Sequence, residues 1–179
     1  GAQLSAGTDN GDGTWTITDP MELAYLGDLT ITPSADSNID FSLGVTATST
    51  EDDGDTATST VATLNVDVIG VADAPSVTVS DATGQEDTAI PLDIGVALED
   101  TDGSESITDI TILGVPTGAQ LSAGTDNGDG TWTLIPAELT GLQITPAEND
   151  DADFSLTVSA TSTEDDGVTA IPLEMTGEV

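Results

Sequence analysis

The residues best equipped for chemistry are carboxylates gathered in short glycine-containing loops. In "EDTDGSE", residues 99–105, Asp100 and Asp102 are spaced to point two carboxylates at one centre. Gly103 permits a sharp turn and Glu105 can close the shell. Six to eight oxygen ligands from carboxylates, backbone carbonyls and Asn side chains are what Ca2+ requires. The plainer reading of the same stretch is a solvated turn. "GQEDT" offers Glu86 and Asp87 just before a predicted strand, with a polar lead-in to that strand as the alternative. "TEDDG", at 50–54 and again at 163–167, is first of all a hairpin tip. Glu164 and Asp166 become candidate ligands because the expected topology sets them beside the 99–105 loop. All available donors are oxygen, which excludes an ordinary zinc site. Mg2+ prefers to keep several waters and is the weaker candidate.

Nothing in the chain can neutralise these groups. It contains 34 Asp and Glu and no Lys, Arg or His, a formal charge of -34 over 179 residues. Such an excess repels itself, so the compact state needs counter-ions from outside, either diffuse salt or bound divalent cations. Binding to nucleic acid or to an anionic membrane surface rests on basic side chains and is excluded. The absence of Cys removes disulfide and thiolate chemistry. With no signal peptide, membrane span or initiating Met, the chain reads as a piece of something longer.

The elements that position the loops are strands. Apolar residues alternate in "SVTVS" (76–80), "ITDITIL" (107–113) and "FSLTVSATST" (154–163), the pattern of half-buried β-strands. Only "DPMELAYLGDL" (19–29) is ambiguous, with room for a single helical turn. A repeat organises the whole: "GAQLSAGTDNGDGTWT" fills 1–16 and returns at 118–133, while "DFSL" and "ATSTEDDG" return at an offset of 113. The first copy therefore carries four extra residues between Thr16 and Ile31. A period near 100 residues is a domain and not a solenoid turn.

The second copy predicts seven strands: A near 76–80, B 90–98, C 106–114, D 119–123, E 131–135, F 153–162 and G 168–176. Seven short strands in about 100 residues are the pattern of an immunoglobulin-like sandwich. The expected fold is therefore all-β, with tandem immunoglobulin-like sandwich repeats. Residues 76–179 form a nearly complete repeat and 72–75 a short linker stiffened by Pro75. Residues 1–71 hold only D to G and are truncated or completed by another chain. In an up-and-down order the BC (99–105), DE (125–130) and FG (164–167) loops share one end. The AB (81–88) and EF (147–153) connections share the other. The DE hairpin resembles the start of an EF-hand loop but lacks its spacing and closing Glu, and an Asp-Gly turn is ordinary hairpin chemistry. Trp15 and Trp132 are expected in the core.

In order and spacing, "VADAP" (71–75), "EDTAIPLDI" (86–94), "LEDTDGSE" (98–105), "GAQLSAGTDNGDGTWTL" (118–134) and "TATSTVATLNVDV" (56–68) resemble the tandem extender repeats of large bacterial RTX-type surface adhesins. The resemblance implies type I secretion, a place at the cell surface in attachment and biofilm formation, and Ca2+ that rigidifies neighbouring repeats. It also implies a target engaged through other domains. The junction is similar to that of cadherins. On that likeness, ligand roles fall on Asp73, on Asp100 and Asp102, and on Asp36 and Asp40 of the first copy. The first copy lacks the "QEDT" segment, and the nonapeptide glycine-aspartate repeats of RTX proteins are absent. The competing reading is a carbohydrate- or protein-binding module, with Tyr25 in the four-residue insertion as its surface contact. An enzyme would be confined to two-carboxylate chemistry and is not expected. Adaptation to high salt is a further explanation of the acidic surface.

Overall fold

A computed structural model describes residues 1–100, 102–170 and 174–179. Thr101 of the BC loop and residues 171–173 of the predicted G strand lie outside the described residues. Strand accounts for 40% of the chain and helix for 7%, so the all-β class read from alternation holds. The chain divides into two compact units, Gly1–Ile69 and Gly70–Val179.

In the first unit the strands are β1 (Gln3–Leu4), β2 (Thr8–Asp9), β3 (Trp15–Thr16), β4 (Ile31–Thr32), β5 (Phe41–Val45), β6 (Thr48–Thr50), β7 (Thr56–Thr58) and β8 (Ala62–Val66). They form four antiparallel pairs: β1 with β4, β2 with β3, β5 with β8 and β6 with β7. The ambiguous 19–29 stretch holds a short helix, α1 (Pro20–Ala24), followed by a 3-10 turn at Leu26–Asp28. Asp19 caps α1 by accepting the Met21 N–H at 2.8 Å, and Pro20 occupies the first turn, where its missing N–H costs nothing.

The second unit adds β9 (Ser76–Val79), β10 (Ile90–Pro91), β11 (Ile94–Ala97), β12 (Glu105–Leu113), β13 (Gln120–Leu121), β14 (Thr125–Asp126), β15 (Thr131–Leu134), β16 (Gln143–Thr145), β17 (Ser155–Glu164), β18 (Thr169–Ala170) and β19 (Met175–Glu178). One sheet runs β14-β15-β12-β17-β18, with β19 also on β17. A smaller sheet runs β10-β16-β13, and β9 pairs with β11. One core joins them. Ile110, Ile112, Trp132, Leu134, Leu156, Val158 and Ala160 come from the large sheet and Ile90, Leu121 and Ile144 from the small one.

Strand period decides what faces that core. Along β17 every second residue, Leu156, Val158, Ala160, Ser162 and Glu164, is buried. In β12 the inward residues change parity, from Glu105 to Ile110 and Ile112, because the register slips between Ile107 and Asp109. A one-residue bulge is the device that shifts a strand's inward set in this way.

The structure corrects the up-and-down reading in one respect. β14 and β16 have no counterpart among the seven predicted strands, and with them the DE hairpin changes ends. Thr131 is paired with Leu113, at the finish of β12, whereas the BC loop precedes its start. The other predicted neighbours do meet. Asp165 N–H donates to Ser104 O at 2.9 Å, joining FG to BC, and Asn149 N–H donates to Asp87 at 2.9 Å, joining EF to AB.

The two copies also differ in how well they cover corresponding strands. Val158 is 1% exposed and its counterpart Val45 is 53% exposed. Truncating Ile112, which is completely buried, to Ala is expected to cost about 2–5 kcal/mol. Val45→Ala is expected to stay within about 0.5 kcal/mol. Urea unfolding followed by Trp132 fluorescence in a Trp15→Phe background, and by Trp15 fluorescence in a Trp132→Phe background, checks the two values.

Candidate metal centre

The acidic BC loop is held by its own carboxylates. Asp100 Oδ1 accepts the Asp102 N–H at 2.8 Å, and Asp102 Oδ1 accepts the Ser104 N–H at 2.8 Å. Gly103 supplies the left-handed turn between them at φ 98°. The exposed Asp102 carboxyl lies below the usual range, chiefly because the Ser104 hydroxyl donates to it, aided by the Ser104 N–H. Asp100 is only 3% exposed.

Directly after this turn β12 begins with Glu105, which the bulge turns inward. Its register partner on β17 is Glu164. Two like charges placed opposite each other across antiparallel strands repel, and here both side chains are buried, at 6% and 4% exposure. Burial pushes the Glu164 carboxyl up, and the charges of Glu105, Asp100 and Asp102 push it further. A side-chain hydrogen bond with Ser104 opposes the shift. The hairpin tip predicted at "TEDDG" (163–167) thus begins two residues later than read, since β17 continues through Glu164.

The 70–75 segment, read in part as a linker, is stitched into the same place. Asp73 N–H donates to Glu105 Oε1 at 2.9 Å, and the wholly buried Ser162 hydroxyl donates to Asp73 O at 2.6 Å. Gly70 N–H donates to Asp166 Oδ2 at 3.1 Å, while Asp166 Oδ1 takes the Val168 N–H at 3.0 Å. The Glu164 carboxylate lies so close to Gly70 that a Cβ there would stand 3.1 Å from its carboxyl carbon. Pro75 is fully buried just beyond.

Six of the predicted residues, Asp73, Asp100, Asp102, Glu105, Glu164 and Asp166, therefore belong to one connected patch. Among the described residues, two buried side-chain oxygens accept no hydrogen bond: Asp100 Oδ2 and Glu105 Oε2. An unsatisfied buried acceptor costs about 1–3 kcal/mol, and more when charged. The sequence holds no basic side chain to relieve it. The available donors, carboxylates, the Asp73 carboxylate and loop carbonyls, suit a hard cation and no other common metal. Among the described residues no group of three or more acidic side chains is already placed to hold a metal ion.

The remaining candidates stand elsewhere. Glu86 is exposed, and Asp87, at φ 60°, is engaged with Asn149. Asp36 and Asp40 belong to the first unit. Asp36 sits in a turn at φ 59°, and Asp40 Oδ1 accepts the Val68 N–H at 2.8 Å. The DE hairpin carboxylates serve their own turn. Asp126 accepts the Gly128 N–H, and Asp129 accepts the Thr131 N–H and hydroxyl, which holds the Asp129 carboxyl low. Gly70, Ser104 and Ser162 were not among the predicted site residues. For Ser162 the signal was present, since it occupies an inward position of the alternating F strand.

No helix among the described residues is long and apolar enough to cross a membrane. No family model, curated protein or solved structure matches the chain.

The raised Glu164 carboxyl has a definite consequence for stability. A group that binds its proton more tightly when folded stabilises the fold below its unfolded pKa and loses that contribution as pH rises through the folded value. In chelator, stability should therefore increase as pH falls from neutral towards the ordinary Glu value of 4.5. Glu164→Gln should melt higher than the parent in chelator at neutral pH and show a flatter pH dependence over that window. Thermal melts of both proteins in chelator check this. Equal slopes would show that Glu164 does not carry the strain.

Proposed function

We propose that the chain is a segment of a calcium-stabilised extender: tandem immunoglobulin-like (cadherin-like) sandwich repeats in a large bacterial surface adhesin, secreted and displayed at the cell surface. In this reading the repeats are spacers and not enzymes. Their partners are neighbouring repeats, and other domains of the same protein engage the target in adhesion or biofilm formation.

The observation that carries the calcium assignment is the pair of buried, unpartnered oxygens on Asp100 and Glu105, next to a buried Glu opposite Glu105. Ca2+ would be held by Asp100, Glu105 and Glu164, with Asp102, Asp73 and Asp166 at the rim. It would supply the positive charge that the chain lacks. Its mechanical effect follows from the 70–75 segment. That segment is already bonded to Glu105, Ser162 and Asp166, so an ion there would stiffen the chain where it enters the repeat. Near-identity between the two copies supports a spacer, because such a region lengthens by duplicating a unit whose sequence need only rebuild the same scaffold.

A second reading, a carbohydrate- or protein-binding module, draws on the 65% exposure of Tyr25 beside the exposed Met21 and Leu26 of the insertion. A glycan array probed with the whole chain is its direct test.

For the extender, the test is the melting temperature in calcium against chelator. Calcium at about 100 times Kd should add about 2.7 kcal/mol, a rise of roughly 10–20 °C for a unit of this size. The paired change Asp100→Asn and Glu105→Gln should abolish most of the rise while leaving the chelator melt unchanged or higher. Molar sodium chloride that reproduced the whole calcium effect would instead favour a salt-adapted surface.

A further inference from the structure

The hairpin "TDNGDGT", at 8–14 and again at 125–131, takes no part in the metal centre. At its tip Asn127 precedes Gly128, and Asn10 precedes Gly11. Asn-Gly is the pairing in which a polypeptide most readily attacks itself. The glycine nitrogen, once solvent base has taken its proton, bonds to the carbonyl carbon of the Asn side chain, and the carboxamide nitrogen leaves as ammonia. A five-membered imide remains. Water opens it at one carbonyl to give Asp, or at the other to give isoaspartate. Glycine favours the attack because it has no side chain to screen its nitrogen, and at Gly128 nothing stands within 4 Å of where a Cβ would be. Asn127 and Gly128 are both exposed, so water and base reach them.

The folded hairpin ties down the groups that this reaction must release. Gly128 N–H donates to Asp126 Oδ1 at 2.8 Å, so the proton is held by a carboxylate and the nitrogen anion would form beside a like charge. Asn127 Nδ2, the departing group, donates to Thr131 Oγ1 at 3.0 Å and to Thr133 Oγ1 at 3.1 Å. Asn127 N–H donates to Thr131 O at 3.0 Å, which pins the backbone of the reacting residue to β15. The first unit repeats all of this. Gly11 N–H donates to Asp9 Oδ1 at 2.9 Å, Asn10 Nδ2 to Thr14 Oγ1 and Thr16 Oγ1 at 2.9 Å each, and Asn10 N–H to Thr14 O at 3.0 Å. The same clamp in two separate units belongs to the motif itself.

We propose that Asn127 and Asn10 are latent deamidation sites held closed by the folded hairpin, each converting through a cyclic imide only while its own hairpin is open. Water and hydroxide are the only co-reactants. Conversion removes the Gly128 N–H and with it the bond to Asp126. The isoaspartate product also carries the main chain through the side-chain carbon, which adds a backbone atom at the tip of a hairpin whose register sets the buried Trp132 opposite Asp126. Each opening that goes to completion therefore leaves a covalent mark, independently of calcium and of any role in adhesion.

The test incubates the full chain and a synthetic peptide of residues 118–138 side by side in mildly alkaline buffer. After denaturation, cleavage at Glu in mild acid releases 1–22 and 106–138 from the chain, each holding a single Asn. Mass spectrometry reads the gain left when OH replaces NH2. An isolated hairpin is marginal in water, so the peptide reports the open state. Asn127 in the folded chain should convert about tenfold or more slowly than in the peptide. Asp126→Ala frees the Gly128 N–H, and Thr133→Val removes one anchor of the carboxamide. Each should speed Asn127 about fivefold while Asn10 keeps its parent rate. Three results would overturn the proposal: equal rates in folded chain and peptide, variants in which Asn127 reacts no faster, or variants in which Asn10 accelerates as much as Asn127.

Discussion

Glu105 and Glu164, set opposite each other on adjoining strands and shut away from water, define the energetic problem around which the second unit is arranged. In water two carboxylates at such a spacing would cost little. Inside a protein the effective dielectric constant is several-fold lower and the repulsion grows in proportion. Asp100 adds a third buried acid, with one oxygen left without a donor. An ordinary protein would answer with Arg or Lys. This chain has neither, and a partner ion from solution is the remaining way to keep these groups both charged and buried.

The fold and the cluster cannot be separated. β17 carries its alternation past the apolar core through Ser162 to Glu164, so the rule that buries Leu156 also buries a carboxylate. The bulge in β12 keeps Ile110 and Ile112 inward while delivering Glu105 to the same face. The 70–75 segment then closes over the end of the strands through backbone groups, with Gly70 leaving the space that the Glu164 carboxylate fills. Electrostatic strain and the path of the chain are concentrated at one place. An ion bound there would act on both.

Much of this was legible in the residues. Alternation in 76–80, 107–113 and 154–163 located three strands to within about two residues. The BC loop announced its carboxylates through Asp100, Asp102 and Glu105. The bulge was not legible, because slipping a strand by one residue leaves no compositional mark when Thr and Ser occupy both faces. β14 and β16 were hidden for a related reason: strands of two or three residues lack the length for a period to show. Their omission moved the DE hairpin to the wrong end. The 72–75 stretch read as a linker because its short run ends in Pro75, while the hydrogen bonds of Asp73 run to Ser162 and Glu105, far away in sequence.

The most direct measurement is a crystal structure of the chain grown in calcium, with anomalous scattering used to locate the ion. The account predicts a peak among Asp100 Oδ2, Glu105 Oε2 and the Glu164 carboxylate, with oxygen distances of about 2.3–2.6 Å. An ion-free map in which these side chains have swung out to solvent, or share protons among themselves, would contradict it.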